Sequence, residues 1–363
     1  TYQYAVALKR ILEDHGIEVK LDNIDIDSSN VNSGVRVRIK KSDLPLALKL
    51  TESGDGDSIS KTVMKMTGVS GNLLIPVDFS PYSMLACRFG FQLAIRLDLH
   101  PVIMYAFTTP YFTGAMPFSQ EFPDNYNADI PDVEAYLDVQ KEAHRMMTAF
   151  KKKIGDAQAQ GTLPSVKYST VLNEGVPEDV ILEYCRLTPP ALVVMATRGK
   201  EKKEDELVGS VTAEVLDSCR VPLFVVPENC SYQSIESIRQ IAYFCNLDQQ
   251  DILSIDMLMR MFDYPDVDIT LIPVNPRAKF EVKKKVDALC GYLSKNYPTA
   301  KFKTAVFKDN SFREEFEDFE KRSKLEMIIV PNKKKNVISR LFNPGIAHRL
   351  LFEKDMPLLA LPV

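Results

Sequence analysis

The sequence has no tryptophan, only four histidines and only six cysteines, and these scarcities exclude several classes of site. No two cysteines form a C-x-x-C pair, which argues against a zinc site or a disulfide framework. We therefore expect buried free thiols in a reducing compartment. The cysteines are Cys87, Cys185, Cys219, Cys230, Cys245 and Cys290.

Long apolar runs and an excess of basic charge are also missing. No stretch approaches the roughly 18–20 apolar residues that a membrane helix needs, and no signal peptide is visible. The formal net charge is −4, so the overall charge does not favour nucleic acid or an anionic membrane as a partner. We expect a cytoplasmic protein that binds neither.

Catalytic signatures are absent as well: the sequence has no Walker A motif, no G-x-S-x-G elbow and no H-E-x-x-H. We therefore expect no enzyme, with a slow ATPase as the minor alternative. The 363 residues are 45% hydrophobic and 26% charged, which is typical of a globular chain of two or three domains.

Residues 1–51 predict a small α+β module. A helix with apolar spacing ends at Gly16, and strands follow at Ile17–Leu21 and Val35–Ile39. A closing helix is expected at Asp43–Leu50. A further strand before Thr1 would complete the sheet, so we expect the module to begin upstream. Residues 52–71 are rich in Gly, Ser and Asp and predict a linker.

Residues 72–228 alternate buried strands with helices, the pattern of a doubly wound parallel sheet. A long loop with several aromatic residues, Thr108–Asp132, interrupts the alternation. The predicted strands are Leu73–Val77, Val102–Phe107, Val166–Leu172, Ala191–Ala196 and Leu223–Val226. The predicted helices are Ser83–Arg96, Val133–Ala157, Glu178–Arg186 and Val211–Cys219.

The same alternation recurs over residues 238–363. The two units end alike, at Val221–Pro227 and Met356–Pro362. We predict two doubly wound five-stranded domains in tandem, packed as a pseudo-dimer mainly through their terminal strands, with a homodimer as a further assembly. The strands of the second unit are predicted at Ile241–Cys245, Ile269–Val274, Phe302–Val306, Met327–Val330 and Leu358–Leu361.

The turn from Ala196 to Ser210 carries the strongest signal of a ligand site. Gly199 frees the backbone to approach a ligand, and Gly209 and Ser210 place unpaired amides at the start of a helix, which favours an anion. Asp78 follows the first strand and is expected at the same sheet edge, where open sheets bind ligands. Asp78 can alternatively cap the following helix, and the glycines can serve loop geometry alone.

These residues carry a resemblance. Val77-Asp78-Phe79-Ser80, Ala196-x-x-Gly199 and, after nine residues, Gly209-Ser210-Val211 resemble the universal stress protein family. The resemblance implies five-stranded domains of the adenine-nucleotide alpha-hydrolase-like fold that often dimerise. One branch of the family binds ATP, so an adenine nucleotide, with Mg²⁺ if it is ATP, is the implied ligand.

Carried over residue by residue, the resemblance places the base or ribose near Asp78 and Ala106 and the phosphates on the glycine loop. The residues expected at the nucleotide are Asp78, Ala106, Ala196, Arg198, Gly199, Gly209, Ser210 and Val211. The leading hypothesis is therefore a cytosolic stress-response regulator that binds an adenine nucleotide in its first unit.

Two departures support an alternative, a scaffold that binds protein partners and no nucleotide. Ala196 stands where the family has its first glycine, and the insert Lys200–Val208 has three lysines against three glutamates and one aspartate. The second unit departs further, with Asn246 in place of Asp78 and Asn332, Lys333 and Lys334 in place of the loop start, so no nucleotide is expected there. The basic stretch Lys333, Lys334, Lys335 and Arg340 suits an anion or a solvated face.

The N-terminal module resembles a small prokaryotic family of domains assigned to signal transduction. The residues that carry this resemblance are the Leu8–Gly16 helix, Ile17-Glu18-Val19 and the strand Gly34–Ile39. The resemblance implies a regulatory role and no defined chemistry.

Overall fold

The computed structural model describes most of the predicted α/β regions. The described residues are 2–14, 16–22, 36–40, 43, 70–109, 133–197, 210–245, 258–259, 261–262, 266–273, 279–307, 312–332 and 355–362.

The N-terminal module consists of a helix against a two-stranded antiparallel sheet. The helix α1 (Tyr2–Asp14) ends at Gly16, whose φ of 78° suits a residue without a Cβ. Strand β1 (Lys20–Asp22) pairs with β2 (Arg36–Arg38). Its small core contains Leu12, Ile17, and Val19, all buried. The predicted closing helix lies outside the described residues, apart from Asp43.

The rest of the described chain forms one ten-stranded sheet with helices on both faces. The first set of strands is β3 (Ser70–Pro76), β4 (His100–Phe107), β5 (Ser169–Glu174), β6 (Pro190–Thr197) and β7 (Leu223–Pro227). Its helices are α2 (Pro81–Leu97), α3 (Val133–Ala159), α4 (Pro177–Leu187) and α5 (Ser210–Ser218).

A second set of strands continues the sheet. These strands are β8 (Gln240–Cys245), β9 (Val267–Pro273), β10 (Ala300–Thr304), β11 (Met327–Asn332) and β12 (Leu358–Pro362). The longer helices described in this part are α6 (Lys279–Asn296) and α7 (Phe312–Ser323).

Both sets have the same strand order. Across the sheet the order is β10-β9-β8-β11-β12-β7-β6-β3-β4-β5, so within each set the chain's first strand lies between its second and fourth. Neighbouring strands are parallel within each set, and the sets meet where β12 pairs antiparallel with β7. At that junction Leu359 lies opposite Phe224.

Apolar runs explain why these strands form and why the junction is central. All five residues of β7 are buried, and alternate side chains enter different cores. Phe224 and Val226 belong to the core beneath α2 and α3, whereas Leu223 and Val225 belong to the core beneath α4 and α5. A strand covered on both faces must be apolar on both, which is why its sequence does not alternate.

The segment that joins the two sets crosses α2 and is fastened to it. The Gln92 side chain donates to the Gln233 carbonyl at 3.1 Å and accepts from the Ile235 N–H at 3.0 Å. Arg96 pairs with Glu236 at 3.2 Å, and Tyr82 hydrogen-bonds to Glu228. The connection between the sets is therefore held against the helix that follows β3.

The predicted boundaries differ most where the apolar signal is weakest. Strand β5 was expected at Val166–Leu172 but runs Ser169–Glu174, because it is an edge strand with half-exposed side chains. Strand β3 begins at Ser70, two residues before the expected start of the domain. None of the helices in the described ranges is long and apolar enough to cross a membrane.

Candidate functional site

The order of strands in the first set creates a crevice at one edge of the sheet. Strands β3 and β6 are neighbours, but the helices that follow them pack on opposite faces. Helix α2 contributes Phe89 and Phe91 to one core, while α5 contributes Val215 and Leu216 to the other. The chain therefore leaves the two strands in opposite directions, and a crevice opens between their carboxyl ends. Open sheets bind ligands in such a crevice.

Asp78 stands at this edge, just after β3, and its carboxylate is hydrogen-bonded to the start of α2. Its Oδ1 accepts hydrogen bonds from the Ser80 N–H at 3.0 Å and from the Ser83 hydroxyl at 2.9 Å. The Asp78 N–H in turn donates to Ser83 Oγ at 3.1 Å. Asp78 is exposed and Ser83 is buried. Ser80 is the N-cap of α2, so Asp78 does not cap the helix directly; its hydrogen bonds to Ser80 and Ser83 hold the carboxylate in place just before the helix.

An aromatic cluster lies beside Asp78. The Phe79 ring centroid is 4.3 Å from that of Tyr105 and 5.3 Å from that of Phe150. Phe79 has a φ of 61°, which costs energy for a residue with a Cβ, so these ring contacts help to hold the turn. Burial raises the pKa of Tyr105, and the negative charge of Asp78 raises it further. Tyr105 was missed in the sequence because it stands inside an apolar run.

Ala106 lies next to this cluster, near the end of β4. It is half-buried and pairs with Asn173 of β5. Strand β3 pairs with β4 in register up to Pro76 and Met104, so the same register carried two residues further brings Asp78 level with Ala106. The structure therefore brings these two predicted residues to the same height on neighbouring strands.

The other side of the crevice is formed by the end of β6. Ala196 packs toward the core beneath α2, while Val193 and Met195 belong to the opposite core, so alternation puts Thr197 on the side of α5. Thr197 is only 3% exposed, and its hydroxyl has no hydrogen-bond partner in the part of the chain that the structure describes. A buried hydroxyl without a partner is costly, and such a group calls for an explanation. Thr197 was not among the predicted site residues.

Helix α5 begins at Ser210, one residue before the predicted start, and Val211 is half-buried in its first turn. The first turn of α5 contains no acidic residue. Its unpaired N–H groups and the helix dipole therefore face no opposing carboxylate from the helix itself. The other predicted loop residues, Arg198, Gly199 and Gly209, lie outside the described residues.

A cavity of about 360 Å³ lies elsewhere, between α3 and the outer strands β4 and β5. Its lining includes His144, Lys151 and Thr170, but not Asp78 or Thr197. We place the candidate site at the crevice instead, because the buried unpaired hydroxyl and the held carboxylate are there. No group of three or more potential metal ligands occurs among the described residues.

The second set of strands has different residues at the matching positions. Strand β8 ends at Cys245, which is buried, and Asn246 lies outside the described residues. Strand β11 ends at Asn332, and the stretch with Lys333, Lys334, Lys335 and Arg340 also lies outside them. Phe244 of β8 packs instead against Phe316 of α7, with ring centroids 5.5 Å apart.

Comparison with known proteins relates the first set to one family. Residues 70–227 match the model of the universal stress protein family. Universal stress protein MJ0531 of Methanocaldococcus jannaschii is 29% identical over 154 residues, which are 42% of this chain and 80% of that protein. Residues 70–227 are therefore similar to the universal stress protein family.

Solved structures show that the likeness of fold extends further. A universal stress protein from Archaeoglobus fulgidus superposes with a TM-score of 0.53 at 10% identity, over 80% of this chain and 98% of that one. Universal stress protein UspA from Lactobacillus plantarum is 21% identical and covers 43% of this chain and 95% of its own, with a TM-score of 0.32. The first comparison supports a common fold for most of the chain.

Proposed function

Because residues 70–227 are similar to the universal stress protein family, we propose that this protein is a stress-response regulator that binds an adenine nucleotide in the crevice between β3 and β6. The second set of strands is a degenerate copy that serves as a pseudo-dimer partner and binds no nucleotide. The observation that carries the proposal is the buried Thr197 hydroxyl, which has no partner among the described residues, together with the held carboxylate of Asp78. A bound nucleoside would supply the missing partner.

The residues of the crevice suit such a ligand. Asp78 is an acceptor for a ribose hydroxyl or a base amine, and Ala106 leaves room at the end of β4 for a base. The phosphates would lie toward Ser210, where the start of α5 favours an anion. If the nucleotide is ATP, Mg²⁺ would be bound mainly through its phosphates, since hard cations prefer oxygen ligands.

One observation favours the scaffold alternative. Ala196 is half-buried at the end of β6, where the family has a glycine, so its methyl group occupies space beside the crevice. In that case the protein would act through protein partners alone, and Thr197 would be satisfied without a nucleotide.

Isothermal titration calorimetry on the full chain separates the two proposals. ATP, ADP, AMP and cyclic AMP are titrated with and without Mg²⁺, and GTP serves as the control for base selection. Saturable binding of an adenine nucleotide is expected, and at 100 times the dissociation constant it should stabilise the fold by about 2.7 kcal/mol. Absence of heat and of thermal stabilisation with every nucleotide would leave the scaffold as the function.

Asp78→Ala and Ser80→Ala form the matched pair that locates the site. Both residues precede α2, but the Ser80 side chain makes no capping hydrogen bond. Asp78→Ala is expected to weaken binding at least about tenfold, since a hydrogen bond to a charged group contributes about 1.5–3 kcal/mol. Ser80→Ala should bind like the wild type. Equal losses in both variants would place the ligand elsewhere.

A further inference from the structure

Two cysteines that are far apart in the sequence come together where α4 and α5 pack against each other. Cys185 lies in the last turn of α4, and Cys219 is the first residue after α5. The two helices pack against each other, and the two thiols lie close enough for each to shift the pKa of the other. Both belong to the same apolar core, and neither is in a disulfide. Neither residue takes part in the proposed nucleotide site.

The pair lies just below the protein surface. Cys185 is 7% exposed and Cys219 is 2% exposed, but each is followed directly in the chain by an exposed arginine, Arg186 and Arg220. The small exposed fraction of Cys185 gives a small uncharged oxidant a point of access to the pair. Cys87, by contrast, is fully buried in the other core of the first set.

The surroundings of the two thiols differ. The pKa of Cys219 is lowered, mainly because Cys185 donates its hydrogen bond to it, and the backbone N–H groups of Val221 and Arg220 and the Arg220 charge act in the same direction. The pKa of Cys185 is raised by its hydrogen bond to Cys219 and by burial. Burial alone raises the pKa of Cys87. Cys219 is thus the sulfur best suited to carry a negative charge, and the thiolate is the reactive form.

We propose that Cys219 and Cys185 form a reversible intrachain disulfide when the protein meets a hydroperoxide. The Cys219 thiolate attacks the peroxide, the O–O bond breaks, and a sulfenic acid and hydroxide form; the hydroxide takes up a proton to become water. The Cys185 sulfur, losing its proton, then attacks the Cys219 sulfur, and the S–O bond breaks with release of a second water. Two thiols and one hydrogen peroxide become one disulfide and two waters.

The bond would join the end of α5 to α4. Helix α5 begins at Ser210, so the cross-link would fasten the far end of the helix that opens at the crevice. The chemistry itself does not depend on whether a nucleotide binds. Its failure and the failure of the nucleotide proposal can therefore be told apart, since one is read by sulfur chemistry and the other by calorimetry.

Peptide mapping without reduction tests the proposal on the full, reduced chain treated with hydrogen peroxide. One disulfide between Cys185 and Cys219 is expected, with the number of free thiols falling from six to four and returning to six with dithiothreitol. A map that shows no disulfide, or one between other cysteines, would overturn the proposal. This measurement needs no variant and is unaffected by a folding defect.

Variants assign the roles of the two sulfurs. Cys185→Ser should form no disulfide but should accumulate a sulfenic acid at Cys219, which dimedone traps. Cys219→Ser should show neither product. The matched control is Cys87→Ser, which removes a buried thiol with no cysteine partner and should leave the disulfide unchanged. Dimedone labelling of Cys185 in the Cys219→Ser variant would show that the order of attack is the reverse of the one proposed.

Discussion

The two sets of five strands share an order but differ in the residues that follow their strands. Each set places its first strand between its second and fourth, and both have buried apolar strands. After β3 an exposed carboxylate accepts a hydrogen bond from the start of a helix, whereas β8 ends at the buried Cys245. In the first set an aromatic cluster with Tyr105 borders the crevice; in the second, Phe244 packs under α7. Strand order thus depends on apolar runs, while the chemistry of a site depends on a few residues at strand ends.

The largest effect is expected at the junction of the two sets. Leu359→Ala and Phe224→Ala each remove a fully buried side chain from facing strands, and each should cost about 2–5 kcal/mol of unfolding free energy. Because the sheet is continuous, urea should unfold both sets in one transition, and the double variant should show a coupling of about 0.5–3 kcal/mol.

The control for the junction is Leu187→Ala, because Leu187 is 65% exposed. It should change the unfolding free energy by no more than about 0.5 kcal/mol. Two separate urea transitions, with only one of them shifted by Leu359→Ala, would show that the sets are energetically independent despite their shared sheet.

Asp78→Asn gives the first set the residue type that the second set has after its first strand. An amide oxygen can still accept from Ser80 and Ser83, so the melting temperature should hardly change. Loss of the charge should weaken adenine nucleotide binding on the order of tenfold, since charge-assisted hydrogen bonds are roughly twice as strong as neutral ones. Unchanged affinity in calorimetry would mean that the carboxylate serves α2 alone.

Thr197→Val removes the buried hydroxyl but keeps the shape of the side chain. Without ligand, the variant should be more stable by about 1 kcal/mol, because an unpaired buried hydroxyl is replaced by a methyl group. Nucleotide binding should weaken at the same time, so the two effects have opposite signs. If thermal unfolding shows a loss of stability instead, the hydroxyl already has a partner in the free protein.

Ala196→Gly restores the glycine that the family has at the end of β6. If the methyl group crowds the ligand, the affinity for the nucleotide should rise a few-fold, while the fold loses about 0.5–1 kcal/mol from the added backbone freedom. Ala191→Gly, at the start of the same strand and also half-buried, is the control and should cost a similar stability without any gain in affinity. A gain in both variants would point to strand flexibility and not to the crevice.

The smallest effect concerns Tyr232, in the segment between the two sets. Burial, with help from the charge of Glu326, raises its pKa from 10.0 to about 12. Above pH 10 the unfolded chain releases the Tyr232 proton, whereas the folded form still holds it. The contribution of Tyr232 to the free energy of unfolding is therefore complete below pH 10 and is lost as the pH rises toward 12. Tyr232→Phe should flatten the decline of urea stability between pH 10 and 12. An unchanged slope would show that other groups cause it.

Much of the fold follows from local pattern. The strands of both sets were predicted within about three residues, because buried parallel strands are continuous apolar runs such as Leu223–Val226 and Leu358–Leu361. The match was poorer at β5, whose edge position leaves its side chains half-exposed, and at β1, where Ile17 and Val19 are buried outside the strand. Short or half-exposed strands have too few apolar residues to fix their ends.

The candidate site could be predicted only in part. Asp78, Ala106 and Ala196 were predicted at one sheet edge, and the structure puts them at the ends of the neighbouring strands β3, β4 and β6. Arg198, Gly199 and Gly209 stay predictions, since they lie outside the described residues. Thr197 was missed because a threonine after an apolar strand is ordinary, and only packing shows that its hydroxyl is buried with no partner in the described part of the chain.

The sequence by itself determined most of the strands and helices, because apolar periodicity acts over a few neighbouring residues. Only the tertiary structure decided that β7 and β12 join two sets into one sheet, that Thr197 is buried, and that Cys185 meets Cys219. These features involve residues from separate elements. Whether a side chain is buried, and which residue it contacts, depends on which surfaces pack together. A local sequence pattern does not show this.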